Sequence, residues 1–419
     1  MLGWELPPLQ IGGLGMICYE LVKELSIRKV PVTYIMPMGP EGTDSEFANL
    51  IIAENDKLGK NIKFPEMIRV PAFFTAYQSP ENYSQSYKDY ISKRKNNLEL
   101  TKKQLYGPFL SVEVDLYAKR VYNIIDKLNF DVIHAHDWIT YPAAIGIAEK
   151  TGKPLVVHIH NTIFDRYLGN ASSWERDIEY NGLKRADLII AISNYVKNTL
   201  IEKYGISPDK IRVVYNAKNT MINNLENIQA PNFVNKKIVL FTGRITVQKG
   251  VEYLIQAAKK VLEKRKDILF VIMGGGDKQY FGEVVNLAAS LGISKNIMFT
   301  GKPYSLQEAK SLYKIADCYV MPSVSEPFGI VPMEAMEYDT PCIISKQSGC
   351  SEVLKSTLKV DFWDIDELAN KILSVLSYDT LNKQMSEQGK IEVGKMTWKK
   401  AVDKLINIYE EAIDMKNKT

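Results

Sequence analysis

The stretch SVSEPFGIVPMEAM, Ser323–Met336, sets Glu326 and Glu334 eight positions apart with Pro327, Gly329 and Pro332 between them. The apolar run DCYVM (317–321) ends just before it, and helical spacing resumes after Gly329. The stretch is thus a strand-to-helix junction. The spacing predicts Glu326 on the loop and a helix over roughly Ile330 to Tyr338 that carries Glu334. The N–H groups of Phe328, Gly329 and Ile330 would face an anion. Carboxylates suit vicinal diols, because each oxygen takes a hydroxyl hydrogen bond. One short segment then offers acceptors for sugar and ribose hydroxyls and a cradle for phosphate. The plainer alternative is a capped helix with ordinary surface acids.

Working outward, β-branched runs alternate with helical patterns along the chain. Strand candidates in the first half are VPVTYIM (30–36), DVIHA (131–135), PLVVHIH (154–160), DLIIAI (187–192) and IRVVY (211–215). In the second half they are IVLFT (238–242), ILFVIM (268–273), NIMF (296–299), DCYVM and PCIIS (341–345). Nearly all are continuously apolar, as strands buried on both faces of a parallel sheet are. Two doubly wound, Rossmann-like α/β units in series follow. The Asn-rich stretch 217–236 lacks periodicity and divides residues 1–216 from 237–397. The tail 398–419 carries an amphipathic helix with no obvious place in the second unit. Residues 41–110 are the least regular and are expected as an insertion over one sheet end. The opening MLGW must serve as the first strand; it is short, as if the chain began a few residues late.

Composition excludes several classes. The 419 residues are 46% hydrophobic and 24% charged, with a net charge of +4. That charge is too small to argue for nucleic acid, and the basic run Lys93–Lys103 suits a solvated helix face. No apolar run approaches the roughly 18 residues of a membrane helix. Met1–Pro8 carries an acid and two prolines and does not resemble a secretory signal. The four cysteines form no C-x-x-C pair, which suits reduced thiols in a cytoplasmic protein.

Further junctions carry candidate chemistry. QIGGLG (Gln10–Gly15) opens a helix, where Gly13 would let backbone N–H groups approach a phosphate; a plain tight turn is the alternative. It is not the G-x-G-x-x-G of a dinucleotide site. All four histidines lie at two strand ends, in VIHAHDW (His134, His136) and VVHIHN (His158, His160). Strand C-termini face the ligand crevice in parallel sheets. A functional histidine, structural histidines and a zinc site are all open readings; zinc needs exact sheet register. TGRITVQKG (Thr242–Gly250) supplies Arg244 and Lys249 at a crevice mouth, a fork and a point charge suited to a diphosphate. The glycine triplet of MGGGDK (273–278) is weak by itself. The D-x-D of DFWDID (361–366) precedes a helix and is expected to cap it rather than hold a metal.

Together these motifs resemble the retaining glycosyltransferases of the two-domain GT-B fold, including glycogen and starch synthases and their bacterial and archaeal relatives. GGLG, HAHDW, GRITVQKG, SVSEPFGIVPMEAM and the closing tryptophan helix occur in the family's order, over nearly the whole chain. The resemblance implies that His136 contacts the transferred sugar and that Asp137 lies near the acceptor. It implies that Arg244 and Lys249 neutralise the leaving diphosphate. Glu326 would stand by the sugar hydroxyls, Glu334 would hold the ribose, and Tyr304 would lie near the base. The C-terminal helix would cross back to the first domain. One departure stands out: bacterial glycogen synthases have K-x-G-G where this chain has Gln10, which favours a broader relative.

The expected activity is metal-independent transfer of a hexose, glucose first, from a nucleoside diphosphate sugar to a carbohydrate or other hydroxyl acceptor, without a cofactor. A sugar-nucleotide 2-epimerase of similar fold is the alternative, and a non-catalytic sugar-nucleotide binder a third. Both cations should be partly exposed, so removing either should change stability by roughly 0.5 kcal/mol or less.

Overall fold

The computed structural model describes residues 1–6, 13–37, 66–70, 110–168, 173–218, 220, 233, 235–301 and 305–418. Tyr304, Gln10, Lys93–Lys103, most of the insertion 41–110 and most of the stretch 217–236 lie outside them.

The second unit is a six-stranded parallel sheet. Its strands are β7 (Lys237–Thr242), β8 (Ile268–Met273), β9 (Ile297–Phe299), β10 (Cys318–Met321), β11 (Cys342–Ser345) and β12 (Leu358–Val360). Their spatial order is β12-β11-β10-β7-β8-β9, all parallel. The order reverses between β7 and β10, so a crevice opens beyond the ends of those two strands. The helix Val251–Lys264 shows why the chain folds this way. Val251, Leu254, Ile255, Ala258, Val261 and Leu262 recur at helical spacing and are all buried against the sheet.

The first unit uses β1 (Thr33–Pro37), β2 (Glu66–Val70), β3 (Ile133–His136), β4 (Leu155–Ile159), β5 (Leu188–Ala191) and β6 (Ile211–Val213). Leu2 completes it. Its N–H donates to the His134 carbonyl at 2.7 Å and its carbonyl accepts from His136 N–H at 3.0 Å. On the other side, Gly3 N–H donates to Ile35 O at 3.0 Å, and Ile35 N–H donates to Met1 O at 2.9 Å. The short opening stretch therefore is a strand, bridging β1 and β3 in parallel. The resulting order is β2-β1-Leu2-β3-β4-β5-β6. It reverses beside β3, directing the end of β3 into a crevice.

Two strands escape the sequence reading: β2, inside the region taken as an irregular insertion, and β12. Both are sheet edges, five and three residues long. An edge strand of that length carries little apolar pattern to detect.

The last helix, Trp398–Asn417, crosses back to the first unit. Trp398, Ala401, Val402, Leu405, Ile408, Tyr409 and Ala412 form one buried stripe. It packs on Leu21, Val22 and Leu25 of the helix Gly13–Ile27 and on Val156, Leu188 and Ile190 of the sheet. Each fully buried Leu, Ile or Val contributes about 1.5–3 kcal/mol over an exposed one. The tail's lost partner is thus found: its apolar face is a missing layer of the first unit. Among the described residues, no helix is long and apolar enough to cross a membrane.

Candidate active site

On the second unit, two loops meet beyond β7 and β10. Gly250 has φ +63, and a Cβ there would stand 2.2 Å from the Pro322 carbonyl oxygen. Only glycine permits that approach, and it brings the Arg244–Lys249 loop against the Glu326 loop. Val324 N–H donates to Gln248 O at 2.9 Å. Lys249 Nζ then reaches Glu326 Oε2 at 2.5 Å, and Ser323 Oγ donates to the same oxygen at 3.3 Å. The Lys249 and Glu326 side chains are 20% and 11% exposed. Arg244 is exposed on the same loop. The glycine triplet is explained by the neighbouring turn: Ile245 N–H donates to Gly275 O at 2.9 Å, zipping the loops after β7 and β8 together.

Glu334 lies on the helix Val331–Glu337, largely buried, and accepts from Tyr313 OH at 3.1 Å. The loop between the glutamates pairs with 347–350: Glu326 N–H donates to Gln347 O, and Cys350 N–H to Phe328 O at 2.7 Å. Phe328 is buried, and Gly329 has φ +96. Ile330 precedes the helix. The D-x-D holds the helix end: Asp364 accepts from Glu367 N–H at 3.0 Å, and Asp366 pairs with Lys260.

On the first unit, the register pairs His136 with His158. Alternation along β3 and β4 then puts all four histidines on one sheet face. His134 and His136 have ring centroids 4.2 Å apart, and His158 and His160 4.1 Å. Across the strands, His136 Nδ1 meets His160 Nε2 at 2.9 Å, and His134 Nε2 meets His158 Nδ1 at 3.3 Å. Burial, then the neighbouring imidazoles, holds His134, His136 and His158 well below the usual histidine range. Burial alone lowers His160 to about 3. All four are neutral at pH 7. His136 Nε2, His158 Nε2, His160 Nδ1 and Asn161 Oδ1 are buried without a hydrogen-bond partner among the described residues. Such unmet capacity is costly unless a ligand meets it.

The register that zinc required is therefore present, and the imidazoles are paired across the strands by hydrogen bonds. His134, His136 and His158 offer nitrogens within 4.8 Å of one another. Tetrahedral zinc, with Zn–N about 2.0–2.1 Å, needs them about 3.4 Å apart with converging lone pairs. His134 Nε2 and His158 Nδ1 instead face each other across their 3.3 Å contact, and His136 Nδ1 is taken by His160 Nε2, so these nitrogens are engaged with one another.

Asp137 follows β3 with φ 58 and ψ 164, a backbone conformation costly for a residue with a side chain. Its Oδ1 accepts from His160 N–H at 2.8 Å, and Thr140 Oγ1 donates to its carbonyl at 3.0 Å. Burial raises Asp137 to about 6, against that hydrogen bond and the Arg166 charge. Gly13 opens its helix and is exposed. However, Glu5 takes part of that helix end: its Oε2 accepts from Gly15 N–H at 3.3 Å.

The units touch beside these sites. Ser193 Oγ donates to Pro327 O at 2.6 Å, and Ser325 Oγ to Asp165 Oδ1 at 2.6 Å. Tyr195 OH lies 3.0 Å from Ser325 Oγ. Glu352 accepts from Asn194 N–H, Asn194 Nδ2, Tyr195 N–H and Tyr215 OH at 2.6–3.0 Å. A Cβ on Gly349 would sit 2.5 Å from Ser193 Cβ. The Glu326 loop is thereby held against the first unit.

The comparisons agree with this architecture. Residues 224–392 match the family model for glycosyl transferases group 1, and 84–220 match glycosyltransferase family 4. The chain belongs to the GT-B glycosyltransferases. An uncharacterized glycosyltransferase of Methanocaldococcus jannaschii is 29% identical, over 99% of this chain and 98% of the relative. A D-inositol 3-phosphate glycosyltransferase of Corynebacterium diphtheriae is 27% identical, over 68% of this chain and 71% of its own. In fold, the glycosyltransferase is similar to sucrose-phosphate synthase of Thermosynechococcus elongatus, with a TM-score of 0.70, 17% identity, and 96% and 94% of the two chains covered. It is also similar to Anabaena HepE in complex with UDP-glucose, with a TM-score of 0.66, 17% identity and 98% of each chain covered.

Sequence reasoning missed Tyr313, Ser323, Asp165, Ser325, Glu352 and Glu5. Only Glu5 carried a local signal, an acid directly after the first strand. The others meet the site through contacts far apart in sequence.

Proposed function

We propose that this glycosyltransferase moves a hexose, glucose first, from a nucleoside diphosphate sugar to a hydroxyl acceptor such as a glucan, with retention of anomeric configuration. The observation that carries this reading is the meeting of Lys249 and Glu326 at the strand-order reversal, on loops that also bear Arg244 and Glu334. The reading divides the chain into an acceptor-side domain (1–216, with 398–419), a linker (217–236) and a donor domain (237–397). Arg244 and Lys249 face the diphosphate, and Glu326 faces the sugar hydroxyls. Glu334 takes the ribose, the N–H groups of Phe328, Gly329 and Ile330 face phosphate oxygens, and the family resemblance assigns Tyr304 to the base. Across the crevice His136 and Asp137 meet the transferred sugar and the acceptor, with Gly13 beside the phosphates.

The chemistry follows from where charge develops. The bond from the anomeric carbon to the phosphate oxygen breaks, and that carbon bonds to the acceptor oxygen on the same face. The acceptor's proton passes to the departing phosphate oxygen, so no separate base is required. A fixed cation near that phosphate stabilises the transition state more than the ground state. The unpartnered Nε2 of His136 supports its place toward the sugar. The test is a donor screen with ADP-, UDP- and GDP-sugars, following released nucleoside diphosphate and new glycoside. Diphosphate release with glycoside formation from one donor is expected. No turnover of any donor, or an epimerised nucleotide as product, would overturn the reading.

A further inference from the structure

The four stacked histidines are tied to the last helix by one hydroxyl. Tyr409 OH lies 2.6 Å from His134 Nδ1, and both residues are buried. That hydroxyl has no other partner among the described residues. It carries one hydrogen, which is buried without an acceptor unless it goes to His134. Burial also keeps the phenol protonated, raising its pKa well above the usual range. The direction of the chain is then determined. Tyr409 O–H donates to His134 Nδ1. A neutral His134 with a lone pair on Nδ1 carries its proton on Nε2, which donates to His158 Nδ1 at 3.3 Å. A neutral His158 accepting at Nδ1 must carry its proton on Nε2. That nitrogen is buried and unpartnered at the end of β4.

We propose that Tyr409 is a positioning residue: from the C-terminal helix it sets the tautomers of His134 and His158, so that His158 presents a fixed N–H donor beside His136. Such a donor takes a hydroxyl or ring oxygen of the transferred sugar and rejects a group that can only donate. The proposal rests on the reading that these strand ends meet the donor sugar. It also gives the returning helix a role beyond packing, because the helix carries a hydroxyl into the first domain's buried site. Replacing the phenol by phenyl leaves the apolar contacts and removes the hydrogen that directs the chain. Without it, the two directions of the His134–His158 bond leave the same kinds of atoms unpaired and become nearly equal in energy.

The test uses the full-length protein labelled with nitrogen-15 in histidine, where four side chains report. In the unsubstituted protein His134 and His158 should each show a single tautomer, protonated at Nε2. In Tyr409→Phe both should show averaged ring shifts, with kcat/KM for the donor sugar falling about twofold, because about half the molecules keep the productive tautomer. His134 protonated at Nδ1 in the unsubstituted protein overturns the proposal, with no variant needed. So does a Tyr409→Phe protein that keeps both tautomers, or one that keeps kcat/KM. If the tautomers behave as stated but neither protein transfers sugar, the glycosyltransferase chemistry fails and the hydrogen-bond chain stands.

Discussion

Replacing Lys249 by alanine should do two separable things. The sequence suggests a partly exposed cation whose loss costs little stability, but the structure pairs it with Glu326 at 2.5 Å and leaves the carboxylate 11% exposed. At an effective dielectric of about 20, the attraction at that separation is on the order of 6 kcal/mol, most of it offset by desolvation of the two charges. Removing one partner of a fully buried pair costs about 3–5 kcal/mol. This pair keeps some solvent contact and Glu326 keeps Ser323, so about 1–2 kcal/mol is the expected loss for Lys249→Ala. For a domain of this size that lowers the melting temperature by about 2–8 °C. Adding Glu326→Gln should recover most of it, because the stranded charge is gone. Turnover should fall about 10²–10³-fold, as when a preorganised donor to developing charge is lost. Arg244→Ala, at an exposed position, should lose comparable turnover with a stability change of about 0.5 kcal/mol or less. Thermal denaturation of the two single variants and the double variant, with turnover at saturating donor, decides the matter. Additive stability effects refute the buried-pair argument, and near-wild-type turnover in Lys249→Ala refutes the diphosphate clamp.

Turnover should survive EDTA, since Asp364 caps a helix and Asp366 pairs with Lys260; full loss with rescue by Mn²⁺ would contradict this. The contacts through Glu352 and Ser325 hold the domains together without ligand, so small-angle scattering should show a compact protein before nucleotide is added. Glu352→Ala should expand it, and an unchanged scattering curve in that variant would count against Glu352 as a latch. Stability should fall as pH drops from 6.5 toward 5. The four histidines have folded pKa values below the usual 6.5, so the unfolded chain binds more protons there. Each contributes up to about 1.4 kcal/mol per pH unit. The carboxyls of Asp137, Asp165, Glu179 and Glu252 are raised by burial and act in the opposite sense, but the four histidines together with the Met1 amine, lowered by burial to about 5, outnumber them. Melting curves across this range check the sign, and a protein more stable at pH 5 than at pH 7 would reverse it.

Periodicity and strand-end placement were enough to read two parallel α/β units, an amphipathic tail helix without a place in the second unit, and most of the candidate residues; the return of that helix to the first unit was implied only by the family resemblance. These are local signals: continuous apolar runs mark strands buried on both faces, and polar residues directly after them fall at sheet ends. The eight-position spacing of the glutamates and the five-position spacing of the cations are also local, fixed by one loop and one turn each. What the linear chain does not carry is which loops touch. That Lys249 closes on Glu326 depends on β7 lying beside β10 and on a glycine that lets backbone approach backbone. That the four histidines pair with one another across two strands depends on the register of β3 against β4. That Tyr409 directs their protons depends on a helix from the end of the chain packing under the start of it. Distances between residues remote in sequence, and the burial that turns an ordinary imidazole into a neutral one, exist only once the chain is folded.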